Sequence, residues 1–114
     1  MQRIERDALR GQLENLILAV LERGEAHGME VLRRLETAGC GALTLREGTI
    51  YPALYRLEKN GLAQAQWEDN DKRTRGPRRR IYHLTPKGKQ QLTKSREQFQ
   101  EFVHVIGGIL GATT

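Results

Sequence analysis

The stretch of sequence that decides the fold is GTIYPALYRLEKNG, which runs from Gly48 to Gly61. Ile50, Leu54 and Leu57 recur in it at i, i+4 and i+7, the spacing that predicts a helix with one apolar face. The inner face of such a helix joins a core, and the outer face is left to meet a partner. That outer face is aromatic and basic, with Tyr51, Tyr55, Arg56 and Lys59.

The start of this helix is predicted from its proline. Proline lacks the backbone N–H that an interior helical residue donates, so Pro52 is expected in the first turn. Thr49 is then the expected N-cap, because its hydroxyl can accept a hydrogen bond from a free backbone N–H. The short gap between this helix and the one before it is compatible with a helix-turn-helix arrangement.

Two strand-like segments follow, at 62–67 and 81–84, and the loop between them is basic. The blander interpretation of such a charge run is a solvated loop. A helix beside a two-stranded ribbon with a basic tip is, however, suited to gripping a DNA duplex. The helix can enter the major groove while the tip neutralises phosphates. Six cations lie within nine positions of this loop: Lys72, Arg73, Arg75, Arg78, Arg79 and Arg80.

Two helices are predicted upstream. The first has an apolar stripe from Leu9 to Leu21 and ends at Gly24. Leu18 lies off that stripe, so it either makes a second apolar contact or is simply exposed. The second helix runs from about 28 to 38 and is broken by the glycines at 39 and 41. Alternation at 43–45 predicts a very short strand.

The last helix is predicted to pair with another helix. Thr85 and Pro86 suit its N-cap and first position. Apolar residues then repeat every seven positions, which is typical of helix pairing, and Gly107 and Gly108 are expected to fray or stop the helix. We therefore expect residues 1–85 to form a DNA-binding domain and 86–114 a dimerisation helix. The expected dimer contacts are Leu18, Leu92, Phe99, Phe102, Val103, Ile106, Ile109 and Leu110.

Composition limits the possible functions. The 114 residues carry a net charge of +5, which favours an anionic partner. A single cysteine, Cys40, excludes an intramolecular disulfide, and the longest apolar run is too short to span a membrane, so we expect a cytoplasmic protein. No catalytic motif is present, and the three histidines are too far apart in sequence to suggest a metal site. We expect neither an enzyme nor a cofactor.

These patterns together resemble the PadR family of bacterial transcriptional regulators. The residues that carry the resemblance lie between about 9 and 92, and the most specific segment is Gly-Thr-Ile-Tyr-Pro-Ala-Leu from Gly48. The other matching features are Leu9–Leu18, His27–Val31, Trp67, Arg79–Thr85 and Gly88.

The resemblance implies a mainly α fold with a small β-hairpin, namely a winged helix-turn-helix plus one C-terminal dimerisation helix. It also implies a homodimer that binds operator DNA, usually as a repressor, and that is often released by a small aromatic or cationic effector. Two residues depart from the family pattern. Met29 stands where the family usually has tyrosine, and the single tryptophan, Trp67, lies on the wing rather than in the last helix. Phe99 and Phe102 could line an effector pocket at the dimer interface, or simply pack there.

The predicted DNA-binding residues fall on the third helix and the wing. Tyr51 is the leading candidate on the helix, with half-burial against the second helix as the alternative. Strand alternation predicts that either Arg78 and Arg80 or Arg79, but not all three, face the DNA. The full set is Arg46, Thr49, Tyr51, Pro52, Tyr55, Arg56, Lys59, Lys72, Arg73, Arg75, Arg78, Arg79 and Arg80.

A rival hypothesis gives the same fold another use. Winged helices also serve as interaction modules, so the basic wing could instead bind RNA or an acidic protein without recognising an operator.

Overall fold

The protein is described by a computed structural model at residues 9, 11–69, 76 and 78–112. Four helices and three short strands make up this part of the chain, and the strands form an antiparallel sheet in the order β1-β3-β2. The elements in chain order are α1 (Leu13–Glu22), β1 (Ala26–His27), α2 (Gly28–Ala38), α3 (Glu47–Lys59), β2 (Ala63–Trp67), β3 (Arg80–Leu84) and α4 (Pro86–Leu110).

The core lies where α1, α2 and α3 meet above the sheet. The inner face of α3 is almost completely enclosed, since Ile50 and Leu54 are 0% exposed and Leu57 is 1% exposed. Burying a side chain of this size contributes about 1.5–3 kcal/mol. The predicted inner stripe of α3 is therefore confirmed, and its burial fixes which face of the helix remains at the surface.

Leu18 and Leu92 belong to the same core. They are 0% and 3% exposed within a single copy of the chain. The prediction that they contact a second copy is wrong, because both side chains are covered by their own chain. Leu18 thus meets core neighbours although it lies off the main stripe. Leu92 is the point at which α4 packs against the body of the protein.

Strands β2 and β3 form the hairpin of a winged helix-turn-helix. Their register pairs Ala63 with Leu84 and Trp67 with Arg80. Tyr82, in the middle of β3, also pairs with Ala26 of β1 and is buried. The two-residue β1 was not predicted, and the strand expected at 43–45 is absent, since those residues form an irregular connection to α3.

The start of α3 differs from the prediction. The N-cap is Arg46, whose backbone is extended and whose carbonyl accepts hydrogen bonds from Thr49 N and Ile50 N at 2.9 and 3.0 Å. Thr49 is therefore inside the helix, and Pro52 lies in the second turn. A proline there leaves the carbonyl of Gly48 without its usual partner, a loss that solvent can compensate because Gly48 is exposed.

The ends of α4 follow from local chemistry. Thr85 caps the helix, because its hydroxyl accepts a hydrogen bond from Gly88 N at 3.0 Å, and Pro86 is the first helical residue, as predicted. The expected fraying at Gly107 and Gly108 is wrong. The helix continues to Leu110 and ends at Gly111, which has a left-handed φ of 72°.

Gly88 permits α4 to start against the hairpin. A Cβ atom at this position would lie 2.1 Å from the carbonyl oxygen of Leu62 and 2.8 Å from Leu84 Cδ1. We predict that Gly88→Ala lowers the free energy of unfolding by about 1–3 kcal/mol, since the backbone must shift. Urea unfolding followed by circular dichroism measures this. The control is Gly48→Ala, where a Cβ would meet nothing within 4 Å. Equal stability of the two variants would contradict the prediction.

Candidate nucleic-acid interface

The outward face of α3 has a well-defined centre. Gly48, Pro52, Tyr55 and Lys59 are spaced by four, three and four residues, so they lie along one line of the helix, opposite the buried stripe. All four are exposed, and Tyr55 is 63% exposed. This line forms a surface that carries one aromatic ring and one positive charge and can approach a partner without obstruction from the body of the protein.

Tyr51 lies on the flank of this face and contacts α2. A Cβ atom at Gly28 would come within 2.4 Å of Tyr51 Cε1 and 2.8 Å of its hydroxyl oxygen, so the ring rests on the glycine backbone. The side chain remains 42% exposed. The alternative of a half-buried tyrosine against the second helix therefore describes its packing, and Tyr55 is the more open of the two rings.

The opposite flank of α3 is tied to α1. Arg56 donates a hydrogen bond from Nε to Glu14 Oε1 at 2.7 Å, an ion pair between exposed side chains. Thr49 lies on this side and is also exposed. Arg46, at the N-cap of α3, is exposed and makes no side-chain capping bond. The charge of Arg56 is thus partly neutralised within the protein.

A cavity of about 470 Å³ opens beside Tyr51, between α2, α3 and the hairpin. Its lining includes three aromatic rings and four arginines. Arg78, Arg79 and Arg80 all line it, and because β3 begins only at Arg80, strand alternation does not apply to Arg78 and Arg79. The lining residues are His27, Met29, Arg33, Tyr51, Trp67, Arg78, Arg79, Arg80 and Tyr82.

Two of the three wing arginines are held by carboxylates. Arg79 donates from Nε and Nη2 to the two oxygens of Glu68 at 3.3 and 3.2 Å. Arg80 donates from Nη1 and Nη2 to the two oxygens of Glu58, on α3, at 3.2 and 2.7 Å. Both contacts have the paired geometry that suits arginine and carboxylate, and both lock the hairpin in place.

The ring of Trp67 contacts two of the wing arginines. The guanidinium groups of Arg78 and Arg80 lie 5.9 and 5.7 Å from the centre of its ring. Arg78 also donates from Nε to the backbone carbonyl of Glu68 at 3.1 Å, an uncharged acceptor. Within the described part of the wing, Arg78 thus contacts an uncharged carbonyl and an aromatic ring, whereas Arg79 and Arg80 bind carboxylates.

His27 joins α2 to the wing. Its Nδ1 accepts a hydrogen bond from Glu30 N at 3.3 Å, which makes it the N-cap of α2, and its Nε2 lies 3.0 Å from Arg79 Nη1. Burial lowers the pKa of His27, and the positive charges of Arg79 and Arg33 lower it further. Protonation would remove the acceptor for Glu30 N and place a second cation beside Arg79.

A second exposed surface extends along α4. The face that packs on α1 through Leu92 and Ser95 continues into exposed apolar residues beyond Arg96, which pairs with Glu22 at the end of α1 at 2.7 Å. From residue 97 to 110 the helix extends about 21 Å further. We call this surface the apolar stripe of α4. Its residues are Phe99, Phe102, Val103, Ile106, Ile109 and Leu110, and the exposed Val105, which was not predicted, lies beside it.

The remaining predicted residues, Lys72, Arg73 and Arg75, lie outside the described residues. None of the helices that the structure describes is long and apolar enough to cross a lipid bilayer. Within the described ranges, no three His, Cys, Asp or Glu side chains are arranged so that they could hold a metal ion.

Three helices, a hairpin wing and an exposed outward face on the third helix together define a winged helix-turn-helix fold. The model of the PadR-like transcriptional regulator family matches residues 17–94, and the chain belongs to this family. The transcriptional regulator Rv3488 of Mycobacterium tuberculosis is 35% identical over 85 residues, which are 74% of this chain and 73% of that protein. The family and its relatives are transcriptional regulators, so the prediction of a protein that is not an enzyme is confirmed.

Solved structures show the same fold. A transcriptional regulator from Clostridium thermocellum is 28% identical with a TM-score of 0.79, over 90% of this chain and 96% of that one. Bacillus subtilis PadR, in complex with operator DNA, is 24% identical with a TM-score of 0.63, over 72% of this chain and 45% of that chain. The latter comparison concerns the fold alone.

The depressed pKa of His27 predicts a pH dependence of stability. The unfolded chain takes up a proton on His27 as the pH falls through about 6.5, whereas the folded chain does so only at lower pH, so stability falls on acidification. His27→Asn keeps a capping acceptor but does not titrate. We predict that the free energy of unfolding falls more between pH 7.5 and 5.5 in the wild type than in this variant. An equal fall in urea titrations would contradict this.

Proposed function

We propose that this protein is a sequence-specific DNA-binding transcriptional regulator that acts as a homodimeric repressor. The observation that carries the proposal is the line of exposed residues on α3. The opposite face of this helix is buried in the core, and an arginine-lined cavity lies beside it. A helix whose inner face is held in the core and whose outer face is exposed can enter the major groove, where the four base pairs can be distinguished by their edges. The complex of Bacillus subtilis PadR with operator DNA supports this use of the fold.

The contacts divide into those that read bases and those that position the protein. Pro52 and Tyr55 lie at the centre of the outward face and approach the groove floor, and Lys59, at its C-terminal end, contacts a phosphate. Arg78 and the lysine and arginines of the wing tip contact phosphates, which adds affinity without choosing a sequence. The flanking contacts come from Arg46, Thr49, Tyr51 and Arg56, and the proposed tip residues are Lys72, Arg73 and Arg75. Arg79 and Arg80 lie beside this face, each paired with a carboxylate.

A second copy covers the apolar stripe of α4. No Asp, Glu, Lys or Arg occurs after Glu101 in the sequence, so the end of the helix has little charge to keep it in water. An exposed apolar patch of this length is typical of a protein interface. Two copies joined in this way present two α3 helices to one face of a duplex, at half-sites about 34 Å apart.

Release by a small aromatic effector completes the proposed cycle. A cleft of about 630 Å³ lies between α1, α2 and α4, and its lining includes the apolar Leu16, Val20 and Leu35 together with Arg23, Arg34 and Arg96. It adjoins the base of the apolar stripe of α4. A ligand there would bear on both the dimer contact and α2, which supports a change in the spacing of the two α3 helices.

A gel-shift experiment tests the central proposal. A labelled duplex from upstream of the protein's own gene should be retained in the presence of a large excess of random duplex. If every polyanion, including RNA, competes equally well, the interaction-module hypothesis is favoured and the repressor is excluded.

The outward face of α3 predicts a graded loss of affinity. Lys59→Ala should weaken binding to DNA and reduce the slope of log K against log salt by about 1, because one phosphate contact is lost. The matched control is Lys94→Ala, the same charge change at an exposed position of α4. Fluorescence anisotropy at several salt concentrations measures both slopes. Identical slopes would remove Lys59 from the interface.

The apolar stripe of α4 predicts the oligomeric state. Phe102 is 61% exposed in the single chain, and a charge placed there would be buried at the proposed interface. We predict that Phe102→Glu shifts the protein from dimer to monomer in sedimentation velocity, while Gln90→Glu, at an exposed position on the other side of α4, leaves the dimer intact. Dimers of unchanged strength in Phe102→Glu would contradict this interface.

A further inference from the structure

We propose that Glu58 and Glu68 compete with DNA phosphates for Arg80 and Arg79, and so limit the affinity of the protein for DNA of any sequence. This inference rests on the proposed function and adds two acidic residues that set how strongly the wing binds the DNA backbone. The wing then presents less net positive charge to the duplex than the number of its arginines implies.

Each of the two acidic residues binds its arginine through both carboxylate oxygens. Glu68 has only 16% of its side chain exposed, and its two oxygens accept hydrogen bonds from Nε and Nη2, along one edge of the Arg79 guanidinium. Glu58 projects from α3, the helix proposed to enter the groove, and its two oxygens accept hydrogen bonds from both Nη atoms of Arg80. The Arg80–Glu58 pair is partly buried and is therefore screened less by salt than an exposed pair, whereas in the Arg79–Glu68 pair only the carboxylate is largely covered.

Arg80 is further restrained by aromatic rings. Its guanidinium lies 5.7 Å from the centre of the Trp67 ring and 5.9 Å from that of Tyr82. Its Nε is buried with no hydrogen-bond partner in the described structure. An arginine that stacks on two rings and binds both oxygens of a carboxylate must give up these contacts to reach a phosphate, which leaves Glu58 unpaired near the DNA.

The consequence appears in the salt dependence of binding. A free cation that binds a phosphate releases a condensed counterion, and each such contact contributes about 0.9 to the slope of log K against log salt. An arginine already paired with a carboxylate adds no net charge and should release none. Arg79 and Arg80 therefore should not count in the slope of the wild type, whereas contacts from unpaired cations should.

The experiment measures anisotropy of a fluorescein-labelled random-sequence duplex over a range of salt concentrations. Glu58→Gln and Glu68→Gln should each steepen the slope by about 0.9 relative to the wild type and increase affinity at low salt. Glu22→Gln is the matched control, because it releases Arg96 from an equivalent two-oxygen pair, at 2.7 and 3.1 Å, on the side of α4. It makes the same change in net charge away from the cavity.

A double variant tests the pairing itself. Glu68→Gln combined with Arg79→Ala replaces a neutral pair by neutral residues, so the slope should return to the wild-type value if Arg79 carries the effect. If Glu58→Gln and Glu68→Gln change the slope no more than Glu22→Gln does, the inference is overturned while the proposed function stands. If the wild type binds no duplex at low salt, both fail.

Discussion

The enclosure of the inner face of α3 is the constraint on which the other features depend. Ile50 and Leu54 have no exposed surface, so α3 cannot rotate without opening the core that it shares with α1 and α2. This fixes Gly48, Pro52, Tyr55 and Lys59 outward. It also sets the distance from α3 to the hairpin, which Glu58 and Arg80 bridge directly. The relative position of helix and wing is thus a property of the fold rather than of the partner.

The second organising feature is one face of α4, which is buried against α1 in its first turns and exposed further along. Over its first turns, α4 packs on α1 through Leu92, and the hydroxyl of Ser95 donates to Asn15 Oδ1 at 2.8 Å. Past the end of α1 the same face has nothing of its own chain to cover it in the described structure. Any shift of a second copy along this face would therefore be transmitted to α1 and, through the core, to α3. This continuity supports coupling between an effector and DNA in the proposed function.

Local chemistry made some of these features readable from the sequence. The cap at Thr85, the proline after it and the extent of α2 follow from neighbouring residues, and the structure agrees with all three. The inner stripe of α3 was readable from its spacing. The start of α3 was not, because the backbone of Arg46 supplies the first acceptor and no side-chain cap is needed.

Other features depend on residues that are distant in sequence. Arg80 lies 22 positions from Glu58, and Arg79 lies 52 positions from His27, so neither contact leaves a local pattern. A run of arginines looks uniformly available in the sequence, whereas the fold neutralises two of them. Leu18 was misassigned for a similar reason, because only the packing of the helices around α1 shows that its second face is also covered.

The central claim is that two copies present paired α3 helices to one duplex. Selection of bound sequences from a random pool of duplexes, followed by sequencing, tests it most directly. The account predicts enrichment of an inverted repeat whose half-site centres are separated by about 10 base pairs. Enrichment of single, unpaired sites, or no enrichment over the starting pool, would contradict it.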